Sequence, residues 1–435
     1  MSAVHESLSL ARPHPDLSGF EKIGWAVLAC GVAALIVAAF GWGSSNPKAA
    51  LLTVFGLTGA GGLWVAVARN GSRTPASQNT GMMKHPATSR GIIGWVLGVV
   101  LTAFYIVLYW FPAPLENLVR MVDPLSRFLR GTDADRWFLY GTLYTFGVSV
   151  MGIRAIIKYR HSRYQIVRTA SIIFFQSVFA FTLPALLRLF NQPEYYFSYF
   201  WPLKYQYLFP TEVDHLWNYP GGIGVAFVVY GLFASFILVP VLTYFFGKRW
   251  YCSWVCGCGG LANTVGDPWR QLSDKRLKAW KFERWSIHSV LVFIVVTTAL
   301  LWIDSWSRGA FLGRASYYFA RTYGFLVGAV WSGVVGVGFY PLMGTRVWCR
   351  FGCPQAAILG ILQKYFSRFR ITVNGDQCIS CGNCSTYCEM GIDVKWYAQR
   401  GQNVVRASCV GCGICSTVCP RGVLNLETGP VGTRR

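Results

Sequence analysis

Acidic residues are scarce in this chain: 18 Asp and Glu stand against 40 Lys and Arg, and charged residues of both signs make up only 13% of 435 positions. So few charges cannot solvate a soluble domain of this length. Histidine is scarcer still. Of six, only His288 falls inside a long apolar run, so the facing axial ligands of a membrane b-type haem are missing, and no C-x-x-C-H provides for a c-type haem. No haem is therefore expected. A G-x4-G-K-[ST] phosphate loop is absent too, which removes nucleotide hydrolysis. The opening MSAVHESLSLARPHPDLSGF lacks a basic region leading into a short apolar core and a small-residue cleavage site, so no signal peptide is expected.

What the chain has instead is apolar length, with 53% hydrophobic and 16% aromatic residues. A membrane span needs roughly 20 apolar residues. About eight runs qualify: 22–42, 50–69, 91–112, 137–157, 169–190, 222–247, 284–303 and 320–343. The first two are rich in Ala and Gly, which favours close helix packing, and Cys30 reads there as a buried small hydrophobe. The net charge of +22 would suit nucleic acid, but its placement follows topology. Arg69, Arg73, Lys84 and Arg90, then Arg154, Lys158, Arg160, Arg163 and Arg168, then Lys248, Arg249, Arg270, Lys275, Arg276, Lys278 and Lys281 all fall between even-numbered and odd-numbered spans. The positive-inside rule makes that side cytoplasmic, with both termini on it. Arg120, Arg127, Arg130, Arg136, Arg308 and Arg314 are exceptions on the other side. The expectation is a multi-pass protein of the cell inner (cytoplasmic) membrane, in contact with membrane lipid and not with nucleic acid.

The last sixty residues carry the strongest motif. Cys378, Cys381, Cys384 and Cys388 form a C-x2-C-x2-C-x3-C run, and Cys409, Cys412, Cys415 and Cys419 repeat it. In this bacterial ferredoxin spacing three thiolates hold one cubane and the fourth crosses to the other. The expected cofactors are two [4Fe-4S] clusters, one on Cys378, Cys381, Cys384 and Cys419, the other on Cys409, Cys412, Cys415 and Cys388. Disulfide frameworks and zinc sites do not require this interleaving. Gly382, Gly411 and Gly413 fill the gaps with small residues, and Pro420 follows its cysteine whereas Glu389 follows Cys388. The stretch 389–408 is longer than a minimal hairpin, so a turn or short helix is expected in it.

A second cysteine set follows two of the spans. Gly247-Lys248-Arg249-Trp250-Tyr251-Cys252-Ser253-Trp254-Val255-Cys256 and Gly344-Thr345-Arg346-Val347-Trp348-Cys349-Arg350-Phe351-Gly352-Cys353 both read G-x-R-x-[YW]-C-x3-C, an internal repeat of about 97 residues. Both pairs exit on the side of the ferredoxin segment and are expected at the membrane interface. Cys252, Cys256, Cys349 and Cys353 suffice for a third iron-sulfur cluster, and the same residues suit redox-active thiols or transient metal binding. Cys258 is an alternative ligand to Cys256. Arg249 and Arg346 precede the first cysteine of each pair by three positions, where a cation favours thiolate or holds a lipid head group.

Elsewhere the signals are weaker. Asp133, Asp135, Arg136 and Arg154 read as surface charge, and Arg188 as a side chain snorkelling to the interface or holding an anion. The segment 191–222 has eleven aromatics, among them Tyr195, Tyr199 and Trp201. It suits an interfacial belt or lid, with a quinone pocket or docking face near Asp214 and His215 as the alternative.

Paired cysteines after membrane spans, followed by a two-cluster segment, resemble the membrane-bound polyferredoxins of the NapH/NosR type over about residues 165–435. The resemblance implies association with periplasmic nitrate reductase, nitrous oxide reductase, methylamine dehydrogenase or cytochrome oxidase assembly. The family's membrane motif is C-x3-C-P; Cys349 to Pro354 matches, whereas Gly257 and Cys258 follow Cys256. The fold expected is all-α polytopic with about eight spans and a small C-terminal α+β ferredoxin-like domain. Its parts are a tail (1–21), accessory helices (22–160), a core repeat (161–370) and the two-cluster domain (371–435). The function expected is electron transfer between a cytoplasmic donor or quinol pool and a partner enzyme in a redox complex, as a subunit and not a stand-alone enzyme. The alternative is an assembly or metal-handling factor that reduces a metal ion or disulfide.

Overall fold

A computed structural model describes residues 18–71 and 85–430. Most of the expected polar tail, the linker positions Arg73 and Lys84, and 431–435 lie outside the described residues. Among the described residues seven helices are long and apolar enough to cross a membrane: α1 (Gly19–Ser45), α2 (Pro47–Asn70), α3 (Ile92–Trp110), α4 (Arg136–Lys158), α5 (Arg163–Leu189), α6 (Ile223–Phe246) and α7 (Leu277–Trp306). They coincide with the first seven expected spans. The eighth stretch is helical over 314–335, here α8, and then breaks into a turn before Tyr340–Met343. Its first part carries Arg314, Arg321, Tyr317 and Tyr318, so its apolar run is shorter than the other seven.

Helices α1 and α2 form an antiparallel hairpin whose backbones touch where Gly31 meets Thr58 and Gly61 meets Leu28. Cys30 is exposed and not buried, because Gly31 takes the contact and a helix turns about 100° between neighbours. Asp135 is more than surface charge: it accepts from the Phe138 N–H at 2.7 Å to cap α4, and pairs with Arg130 at 3.0 Å and Arg188 at 3.7 Å. That pair accounts for Arg188.

The aromatic segment 191–222 packs as a lid on the bundle. It folds back between helices: Tyr195 stacks on Tyr207 at 4.5 Å, the Trp201 indole reaches Thr298 in α7 at 3.4 Å, and the Tyr251 hydroxyl donates to the Ser198 carbonyl at 2.9 Å. Asp214 and His215 stay on the short helix Pro210–Trp217, away from these contacts.

After α8 the chain forms α9 (Pro354–Tyr365) and enters a head closed by β1 (Phe369–Val373) and β2 (Leu424–Thr428), antiparallel with Phe369 opposite Thr428. The long stretch after Glu389 contains the short helix Val394–Ala398, as expected.

Asp267 ties the two halves of the helix bundle. Fully buried, it receives Lys158 at 2.7 Å, Arg154 at 3.3 Å, Arg270 at 2.9 Å and the Tyr159 hydroxyl at 2.8 Å. Burial alone would raise this carboxyl, but Lys158, Arg270 and Arg154 overcome it and hold it well below the usual range. A depressed carboxylate stabilises the fold at every pH above its unfolded value of about 3.9, and that stabilisation is lost only as pH falls through the folded value. Asp267→Asn strands three cations and is expected to cost about 3–5 kcal/mol. Thermal unfolding at pH 5 and pH 8 checks both points: the variant melts lower by the same margin at each, and a margin that shrinks at pH 5 contradicts the assignment.

Candidate metal centres

The two ferredoxin loops are built alike. Ser380 and Gly411 occupy equivalent positions with φ of 58° and 59°, a left-handed conformation natural to glycine and uncommon for serine. Gln399, from the inserted stretch, donates to the Ser380 hydroxyl at 2.9 Å. Each fourth cysteine accepts from the N–H four residues on, Cys388 from Ile392 and Cys419 from Val423, both at 3.4 Å. Gly411 N–H likewise meets Cys409 Sγ at 3.4 Å.

The eight thiols of the head fall into two groups. Cys378, Cys381, Cys384 and Cys419 line one small cavity, and Cys384 lies within electrostatic reach of the other three. Cys415 has Cys412, Cys409 and Cys388 as neighbours, with Cys384 of the first group next. The groups differ in exposure: Cys381 is exposed and Cys378 and Cys419 half-buried, whereas Cys409 and Cys415 are buried.

The membrane cysteines converge as well. Cys353 faces Cys349, Cys256 and Cys252, and Cys258 faces Cys256, Cys349 and Cys353. Cys252, Cys256, Cys349 and Cys353 are buried and Cys258 is half-buried. Burial pushes Cys252 up to about 12, and raises Cys349 against the pull of Arg346. A hydrogen bond with Cys258 lowers Cys256 to about 7. Among the described residues no three Cys, His, Asp or Glu side chains crowd closely enough for a single metal ion. A tetrahedral thiolate site draws every sulfur to about 2.3 Å from one centre, so these groupings are wider than a mononuclear site.

This third set packs against the helix bundle. Gln176 donates to the Val255 carbonyl at 2.6 Å, and the Tyr144 hydroxyl to the Gly257 carbonyl at 2.7 Å. Gln176 is eight residues along α5 from Arg168, roughly 12 Å at 1.5 Å per residue. The chain after α6 turns back into the bundle through the short helix Gly257–Asn263 and carries Cys256 and Cys258 down with it. Gln176 lies in a π-helical stretch of α5, Phe175–Thr182, a deviation frequent at functional sites. Gly257 stands where the second repeat has Pro354, because a Cβ there would collide with the Tyr199 hydroxyl. The aromatic segment thus walls the thiol set, with Tyr199 beside Cys256 and Cys258.

The two repeat arginines part company. Arg346 is fully buried, donating to the Cys252 carbonyl at 3.1 Å, lying 3.6 Å from Cys349 Sγ and pairing with Glu389 at 2.7 Å. Arg249 instead stacks on Phe369 at 4.6 Å and donates to Thr428 at 3.1 Å, clamping the sheet of the head. Lys248, its sequence neighbour, is the cation beside Cys252, Cys349 and Cys409. Glu389 and Lys248 were absent from the sequence-based site. Only the glutamate left a trace, as the residue replacing the proline that follows the fourth cysteine.

The second ferredoxin loop is docked peptide by peptide. The carbonyl of Cys409 accepts from Gln363 at 2.7 Å, Val410 from Ser253 at 2.7 Å, Gly411 from Tyr164 at 2.6 Å, and Cys412 from Gln165 at 2.9 Å and Arg168 at 2.8 Å. With its carbonyls held outward, this loop is free to turn N–H groups toward its sulfurs. Arg168 Nε and Nη2 and Arg346 Nε are buried without partners, and Arg168 and Arg346 have one nearby buried carboxylate, Glu389, while Arg270 divides itself between Glu389 and Asp267. This surplus of buried cation fits anionic, thiolate-ligated clusters.

Known proteins agree with the geometry. A family described as 4Fe-4S dicluster domain matches residues 371–426, and one described as 4Fe-4S binding domain matches twice, at 228–279 and 323–374. The chain carries both kinds of 4Fe-4S domain match and is similar to ferredoxin-type electron-transport proteins. It is 26% identical over 38% of its length to YccM of Escherichia coli K12, named as a candidate electron transport protein, covering 46% of that protein. It is 24% identical over 36% of its length to an uncharacterized protein of Methanocaldococcus jannaschii, covering 58%. To MauN of Paracoccus denitrificans, a methylamine utilization ferredoxin-type protein, it is 26% identical over 35% of its length, covering 52%. The matched region spans about half the length of these relatives. No solved structure matches.

Glu389→Gln leaves Arg346 without its carboxylate and Arg270 with Asp267 alone, and is expected to destabilise by about 3–5 kcal/mol. Glu389→Pro, which restores the usual C-P, should be as damaging. Melting temperatures of the purified variants check this, and a Glu389→Pro protein more stable than wild type would refute the pairing.

Proposed function

We propose that this chain carries electrons through a membrane along three iron-sulfur centres: an exposed one on Cys378, Cys381, Cys384 and Cys419, a docked one on Cys409, Cys412, Cys415 and Cys388, and one inside the helix bundle on Cys252, Cys256, Cys349 and Cys353. The carrying observation is the graded burial of three thiol groups, with one of four buried in the first, two of four in the second and all four in the third, and with Cys384 within electrostatic reach of Cys415 and Lys248 within reach of Cys409 and Cys349. The resemblance to ferredoxin-type electron-transport proteins supports the same reading. When bound, the clusters supply one-electron steps at potentials set by burial and hydrogen bonding. The chain's own groups position them: N–H donors face the sulfurs, Arg346 and Lys248 offset their negative charge, and Tyr199 and Gln176 close the innermost one from solvent.

In this reading α8 is the eighth span, which puts both termini and the head on the basic, cytoplasmic side of an inner membrane. Electrons pass between a cytoplasmic donor or the quinol pool and a partner redox enzyme. The accessory helices at 22–160, the core at 161–370 and the head at 371–435 are its working parts, and the chain acts as a subunit.

A second reading, reduction of a metal ion or disulfide at the membrane thiols, rests on Cys258. It is a fifth thiol in a four-ligand set, hydrogen-bonded to Cys256. Iron and acid-labile sulfide, with EPR of the reduced protein, separate the two. About twelve irons in wild type and about eight in a Cys349→Ser, Cys353→Ser variant establish the third cubane; about eight in both assigns these thiols to the second reading.

A further inference from the structure

A cavity of about 510 Å³ opens between the start of α7, α9 and the stretch 405–408 of the head. Four cations line it: Lys248, Arg284, Lys364 and Arg406. Its one carboxylate, Glu283, is already taken, by Arg350 at 2.9 Å and by the Ser408 hydroxyl. Arg284 and Arg406 both rest on the Trp280 ring, at 5.1 and 4.7 Å, which fixes their guanidinium groups without neutralising them. Among the described residues Lys248, Arg284 and Arg406 have no acidic partner. Arg284 and His288 also border a second, open groove along α7, floored by Val292, Phe293 and Val296. Val292 is 60% and Val296 46% exposed, on the side of a membrane span.

We propose that this cavity binds the anionic headgroup of a membrane phospholipid, whose acyl chains run down α7 over Val292 and Val296. A cationic cup continuous with an apolar groove matches a molecule with a phosphate at one end and hydrocarbon at the other. A free anion has no use for the groove, and the neutral ring of a quinone has none for four cations. A lipid held here joins α7 to α9 and to the head, with Cys349 in the cavity wall, and so acts as a structural part of the fold. The inference rests on the multi-pass reading and not on the number of clusters.

The test compares melting temperatures of the full chain in phosphatidylcholine bilayers and in bilayers that also contain phosphatidylglycerol. Phosphatidylglycerol is expected to raise the melting temperature of wild type, and an Arg284→Gln, Arg406→Gln double variant to lose more than half of that rise. Arg400→Gln, which removes an exposed charge elsewhere on the head, should keep it. Iron content equal to wild type shows that each variant has folded, independently of how many clusters it holds. Where the double variant fails to load iron, the Lys364→Gln single variant takes its place, with a smaller loss expected. Equal melting temperatures in the two bilayers overturn the proposal, as does a variant that keeps the full rise. Stabilisation in detergent by inorganic phosphate as large as that by the lipid assigns the cavity to a free anion. A quinone co-purifying one-to-one and lost in the double variant assigns it to the quinone.

Discussion

A cluster loop is a burial problem before it is a redox device. To turn N–H groups toward sulfur, its peptides must turn carbonyls the other way, and a buried carbonyl without a donor costs about 1–3 kcal/mol. In the loop from Cys409 to Cys412 every outward carbonyl is met by a side chain of the membrane portion: Gln363, Ser253, Tyr164, Gln165 and Arg168. The head and the helix bundle are therefore one folding unit at this loop, and the donors come from α5, from the turn after α6 and from α9. The first loop, with Cys381 exposed, has water for the same purpose. Two loops of one motif thus acquire different surroundings, one docked and one open, and the chain acquires a direction from solvent inward.

The same logic explains the depth of the third thiol set. A segment entering a helix bundle needs partners for its peptides, and the bundle provides them in Gln176 and Tyr144, polar residues inside apolar helices. From the opposite side the aromatic segment descends to meet it, with Tyr199 and the Ser198 carbonyl as its deepest points.

Much of this was legible in the residue order. Cysteine spacing encodes ligand grouping because a cubane fixes how far apart its sulfurs lie, and apolar runs encode spans because bilayer thickness fixes their length. The seven long apolar helices and the convergence of the two repeat pairs follow from those constraints. The rest depended on tertiary contacts. Arg249 and Arg346 occupy the same repeat position, yet one clamps a sheet and the other enters the thiol site, because the head packs on only one of the two copies. The aromatic segment has the composition of an interfacial belt, and composition does not show that it turns inward. Glu389 looked like a lapse in the C-P pattern. It is the carboxylate on which Arg346 and Arg270 converge, at 2.7 and 3.4 Å.

The charge balance around that glutamate carries the argument one step further. Arg154, Lys158, Arg168, Lys248, Arg270 and Arg346 surround the join of head and bundle, all but Arg154 fully buried, and Asp267 and Glu389 are the carboxylates among them. Six cations against two anions cannot be dehydrated at no cost, since each uncompensated buried charge weighs several kcal/mol. Thiolate-ligated clusters at the proposed sites would bring the missing negative charge to the places where Arg168 meets the Cys412 carbonyl and Arg346 meets Cys349. Metal loading and docking of the head would then be one event, because a chain lacking its clusters would have to bury that positive charge unpaired. The arginines that tune the centres are on this account also the reason why the head cannot settle on the membrane bundle without them.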